Sequence, residues 1–167
     1  MPLPAPILEG RMRQYTIGHL IEGNETPVAH AGERLLLSKV LPPWQRPEVW
    51  SAAQKRNFIE GVFLGMGCGV YVVNGMDWDE NGRKPMAGWL LDGQQRLSAL
   101  RDFLLGGMVV FDDVTFESLT DAQRRRFLRK PFDCQELDYL TDEATLRALY
   151  NRLNFGGTAH TPDQVAT

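Results

Sequence analysis

The chain has 167 residues, 21 acidic and 18 basic, for a formal charge of −3, with 43% hydrophobic and 23% charged residues. These values fit one globular domain with a real core; they exclude wholesale disorder and a surface coated for non-specific nucleic-acid binding, while leaving room for a local basic patch. No apolar run approaches the ~18 residues of a membrane span, the proline-rich start is no signal peptide, and Cys68 and Cys134 stand alone, so the expected setting is a reducing cytoplasm.

Residues 1–14 read as a flexible arm and 15–167 as a single domain. Tyr15-Thr16-Ile17-Gly18-His19-Leu20-Ile21-Glu22 predicts a short helix capped by Thr16, and 34–40 a strand. The three prolines of 41–50 forbid regular structure there. Ser51 is placed to cap a helix over 52–64. Strands are expected at 70–73 and 87–91, with turns at Asn74-Gly75 and Asn81-Gly82. Leu97, Leu100, Phe103 and Leu104 recur at helical spacing and Gly106-Gly107 ends the run. A short strand follows at 109–111. Thr120 with Gln123 forms a capping box for a helix to about 128, 132–137 is a strand, and Thr141 caps a last helix through Leu153. The expected class is α+β, a compact mixed sheet with flanking helices.

Several patterns imitate known sites and fail on inspection. Asp77-x-Asp79-x-Asn81-Gly82 opens like a calcium loop, yet the twelfth position, which needs a bidentate glutamate, is Gly88; a hairpin turn is the expectation. Gly65-Met66-Gly67-Cys68-Gly69 lies between a helix and a strand, the reverse of a phosphate-binding order, and reads as a flexible connection. His19, His30 and His160 lack metal-ligand spacing, so no metal site is expected. Asn24-Glu25-Thr26 is a chance sequon.

Three segments carry chemistry, each with two readings. Leu90-Leu91-Asp92-Gly93-Gln94-Gln95-Arg96-Leu97 takes a strand straight into a helix N-terminus. Free N–H groups and the positive dipole end converge there, which suits an anion such as a nucleotide phosphate. Equally, Asp92 could cap the helix with Gln94, Gln95 and Arg96 solvated. Pro43-Trp44-Gln45-Arg46-Pro47 offers an aromatic, an amide and a guanidinium for a ligand, or a core plug with an ion-paired Arg46. Arg152-Leu153-Asn154-Phe155-Gly156-Gly157-Thr158 ends a helix, with Asn154 either in a site or at a simple helix stop. Apart from these, Arg124, Arg125, Arg126, Arg129 and Lys130 share one helix, as a solvated face or as the local basic patch.

Taken in order and spacing, the three segments resemble the N-terminal domain of GmrSD-type modification-dependent restriction enzymes, a branch of the ParB/sulfiredoxin-like superfamily. The matching residues are Pro42, Gln45, Arg46 and Trp50; Asp92 to Leu97 as Asp-Gly-Gln-Gln-Arg-Leu; and Arg152, Asn154, Gly156, Gly157 and Thr158, with Tyr15-Thr16-Ile17 as the usual opening. The resemblance implies a ParB/sulfiredoxin-like fold, nucleoside triphosphate binding and hydrolysis at the Asp-Gly-Gln-Gln-Arg turn, and action on DNA in restriction or in a phage or mobile-element setting. On that basis Gly93, Gln94, Gln95, Arg96, Gln45 and Asn154 are the expected nucleotide-binding residues. Asp92, Gln95, Arg96 and Arg46 are the expected catalytic ones, with Asp92 available for Mg²⁺, for a water or for capping. Arg124, Arg125, Arg129 and Lys130 are the expected DNA contacts. Full-length relatives continue into a helical region and often an HNH nuclease, whereas here Thr161-Pro162-Asp163-Gln164 opens a helix just before the end; a minimal version or a fragment is expected. The alternatives are a non-catalytic nucleotide- or DNA-sensing module, and an interaction protein, with a protein partner or homodimer, that targets a host complex.

Overall fold

The computed structural model describes residues 2–22 and 26–155. Its elements run β1 (Gly10–Arg13), a single 3-10 turn (Ile17–Leu20), β2 (Arg34–Leu36), β3 (Lys39–Leu41), α1 (Ala52–Phe63), β4 (Val70–Val73), β5 (Trp78–Asp79), β6 (Gly82–Arg83), β7 (Leu90–Asp92), α2 (Gln94–Leu104), α3 (Asp121–Leu128), β8 (Asp133–Leu137) and α4 (Glu143–Phe155). Two helix starts follow directly from side chains that replace missing backbone partners. Ser51 Oγ accepts from Gln54 N at 3.2 Å while Gln54 Oε1 accepts from Ser51 N at 2.8 Å, and Thr120 and Gln123 repeat the exchange at α3.

The main sheet has the order β1-β8-β4-β7. β8 runs antiparallel to β1 and parallel to β4, and β4 runs antiparallel to β7, so the sheet is mixed. Alternation along the strands divides the core. Tyr71, Val73, Leu90 and Cys134 face α1, α2 and Phe127 of α3, while Val72, Leu91 and Leu137 face Leu146 and Leu149 of α4. Helices therefore cover both faces, as the α+β expectation requires.

The departures from expectation have local causes. The arm is shorter than predicted, because residues 10–13 form β1 on the edge of β8; a four-residue strand with most side chains exposed carries no hydrophobic alternation to betray it. The strand expected over 34–40 is a hairpin, β2–β3, turned at Leu37, whose φ is +52°. The strand expected over 109–111 is only a bridge between Val110 and Val114, with Phe111 and Asp112 at positive φ. β7 starts later than 87, since Met86 and Gly88 take positive φ. Asp142, not Thr141, caps α4, accepting from the N–H groups of Ala144 and Thr145 at 3.2 Å each, and Thr16 precedes its turn without capping it.

The calcium-like segment is the β5–β6 hairpin, with Asp77 paired to Lys84 at 2.7 Å. Beside it, Glu33 and Arg83 form a fully enclosed ion pair, and Trp89 Nε1 donates to Glu33 Oε1 at 2.7 Å. Asn24 and Glu25 of the sequon, Gly156, Gly157 and Thr158, His160, and the helix start at 161–164 lie outside the described residues. Among the described residues no helix is long and apolar enough to cross a membrane.

Candidate functional site

The strand β7 delivers the chain to Gly93, which holds φ +107° and starts α2 with no side-chain cap. The first N–H groups of α2 are thus left to solvent or to a ligand. Asp92 does not cap the helix; its carboxylate accepts from Arg96 Nη2 one turn on, at 3.1 Å. Gly93 is required by backbone and packing. A Cβ there would stand 2.7 Å from Tyr71 Cβ, on the sheet side and away from solvent.

The loop before α1 wraps this helix start through a chain of amides. Gln45 Nε2 donates to Gln94 Oε1 at 3.2 Å, Gln94 Nε2 donates to the Arg46 carbonyl at 2.9 Å, and Gln95 Oε1 accepts from the N–H groups of Val49 and Trp50 at 3.0 and 3.1 Å. Each of the three glutamines is at least nine-tenths buried. Two of their atoms, Gln45 Oε1 and Gln95 Nε2, have no hydrogen-bond partner among the described residues. Burying an amide atom unpaired is costly, and the cleft's lining contains one such acceptor and one such donor.

The third segment closes the ring from α4. Arg46 Nη2 donates to Asn154 Oδ1 at 3.4 Å, and Asn154 Nδ2 donates to the Tyr150 carbonyl at 2.8 Å. Burial pushes the Tyr150 phenol up, with Arg46 opposing from close by. Trp44 fills the floor behind them, edge-on to Tyr150 at 5.1 Å and to Trp89 at 6.1 Å. Gln45, Arg46, Trp50, Asp92 to Arg96, Leu153 and Asn154 together line one cleft of about 240 Å³. The three segments singled out in the sequence are separated by tens of residues and meet here.

One support of the cleft went unread in the sequence. Arg96 Nη1 donates to the Cys68 carbonyl at 3.0 Å, and its guanidinium lies 5.7 Å from the centroid of the Phe132 ring. A Cβ on Gly69, which holds φ +74°, would come 2.5 Å from Arg96 Nη1. The last glycine of Gly65-Met66-Gly67-Cys68-Gly69 is thus the seat of Arg96, and its signal was that otherwise purposeless run of glycines.

The basic helix lies apart from the amide chain. Arg124 turns back on its own loop, donating to the carbonyls of Phe116 (3.2 Å) and Glu117 and standing 3.8 Å from Asp121. Arg125, Arg129 and Lys130, with Arg126, surround a shallow depression. Among the described residues no three His, Cys, Asp or Glu side chains cluster as a metal site.

Residues 30–165 match the family described as GmrSD restriction endonuclease, N-terminal domain, and the chain belongs to that family. No curated protein and no solved structure matches it.

Proposed function

We propose that this member of the GmrSD restriction endonuclease N-terminal domain family, and so of a DNA restriction context, binds the phosphates of a nucleoside triphosphate in the cleft at the start of α2 and hydrolyses it. The observation that carries the reading is the uncapped helix N-terminus set beside two buried, unsatisfied amide atoms, Gln45 Oε1 and Gln95 Nε2. The N–H groups of Gln94 and Gln95 would take phosphate oxygens, and Arg46 and Arg96 would neutralise charge gathering on the transferred group. Gln45 and Asn154 would read a base or hold a water. Asp92 is the one carboxylate among the described lining residues; it suits a single ligand position on Mg²⁺, whose remaining ligands would be phosphate and water. The resemblance read from the sequence implies nucleotide binding at the same turn.

A second reading, binding without turnover, draws on one feature. Asp92 is already paired with Arg96, so a free carboxylate to orient the attacking water is not evident.

A thermal-shift panel of nucleoside triphosphates, with and without Mg²⁺, tests binding. A ligand at about a hundred times its Kd adds about 2.7 kcal/mol, or roughly 5–10 °C in Tm for a chain of this size. Arg46→Ala should shrink that shift while the unliganded Tm holds within a few degrees. Steady-state phosphate release separates the two readings, and a wild-type protein that no nucleotide stabilises would overturn both.

A further inference from the structure

The end of α3 and the two residues after it carry a chemical pattern that the cleft does not absorb. No acidic residue occurs from 122 to 132, a stretch holding four arginines and a lysine in a chain whose net charge is −3. Arg124 is used up by its own loop, as described. Arg125, Arg126 and Arg129 are exposed and Lys130 is half-buried. None of these four has a side-chain hydrogen bond or ion pair among the described residues.

The arrangement is unfavourable as it stands. Arg125 and Arg126 in the last turn of α3 and Arg129 and Lys130 just past its end crowd four like charges with no acidic residue between them, and like charges at such spacing repel. Their place near the C-terminus of α3 offsets part of that through the helix dipole. An external polyanion would offset the rest.

We infer that Arg125, Arg126, Arg129 and Lys130 form a docking surface for the phosphate backbone of duplex DNA, whether or not the cleft binds a nucleotide. The lining favours this partner over others. Besides the four cations the depression holds only Ala122 and Pro131. It lacks the aromatic and large apolar anchors that a protein interface uses, and it has no ring on which unpaired bases could stack. Guanidinium forks and an ammonium suit phosphate oxygens, which position a duplex without reading its sequence. The surface shares no lining residue with the cleft but is tied to it through Phe132. Lys130 stands two residues before Phe132, over whose ring the Arg96 guanidinium lies. Burial raises the Cys68 thiol to about 11, and the positive charges of Arg96 and Lys130 both oppose that rise.

The test is fluorescence anisotropy of a labelled mixed-sequence duplex, titrated over a salt series with no nucleotide present. Four phosphate contacts predict a slope of log K against log salt of about −3.6, and Arg126→Gln/Arg129→Gln should flatten it by about two units. Arg11→Gln/Arg56→Gln makes the same change in net charge on other exposed arginines and should leave the slope alone. Circular dichroism melts confirm that both double variants remain folded. Absent or salt-independent wild-type binding overturns the inference, as does equal loss in the two variants. Tighter binding of oligo-dT would reassign the surface to single strands, and displacement of the duplex by polyglutamate at equal charge would reassign it to an acidic protein.

Discussion

At the scale of single residues, the glycines of the candidate site are explained by what they touch inside the molecule. At Gly93 the space a Cβ would need is taken by Tyr71, and φ +107° is strained for any other residue. Gly93→Ala should therefore destabilise the fold by about 1–3 kcal/mol with or without ligand. Urea denaturation of the two proteins checks this; equal midpoints would mean that the helix start can shift at little cost. Gly69 makes the complementary point. Its missing Cβ leaves room for the Arg96 guanidinium, so Arg96 is both a candidate phosphate ligand and a strut for the loop that precedes β4.

At the scale of elements, the loop that carries Gln45 and Arg46 is held by an ion cluster. Lys55 Nζ of α1 lies 2.6 Å from both Glu48 of the loop and Asp102 of α2, and Arg101 grips Glu48 at 2.7 Å. Lys55 has only 9% of its side chain exposed, against 31% for each carboxylate. Burial alone would raise the Glu48 carboxyl, but hydrogen bonds from Arg101 and Lys55 outweigh it and hold it at about 2, below its usual 4.5. A lowered carboxyl pKa stabilises the fold above its unfolded value, and that contribution fades as pH falls from about 4.5 towards 2. Glu48→Gln should then cost stability at neutral pH and lose little more on acidification to about pH 3, so the gap to wild type narrows in chemical denaturation. A gap of constant size would place the acid-sensitive group elsewhere. Little of this cluster was legible in the sequence, because Glu48, Lys55, Arg101 and Asp102 show no common pattern until α1 and α2 lie side by side. The helices themselves were legible, since Ser51–Gln54 and Thr120–Gln123 write their starts locally. The same holds for the three motif segments, whose residue types were conspicuous, whereas their meeting in one cleft depends on the long-range packing of β3 and α4 against β7.

At the scale of the whole molecule, the sheet sets the candidate site at one edge and β1 at the other, three strand spacings or about 14 Å away. β1 and the 3-10 turn also precede residue 30, where the family match begins. The first strand reads as a brace on β8: Gly10–Arg13 pair with β8, and Arg13 meets Glu136 at 3.3 Å. It was missed in the sequence for a physical reason, since an edge strand exposed on most positions needs only backbone partners and leaves no hydrophobic period. Removing residues 2–13 should therefore weaken the fold and spare the cleft. The expected loss is about 1–2 kcal/mol, or roughly 2–8 °C in Tm, with the edge of β8 left open to self-association. The nucleotide-induced shift, measured beside the full chain at the same ligand concentrations, should keep its size, because every lining residue of the cleft lies between 45 and 154. A truncated protein that melts cooperatively yet loses that shift would show that the brace reaches across the sheet to order α2, and that the site is not confined to the span shared with its family.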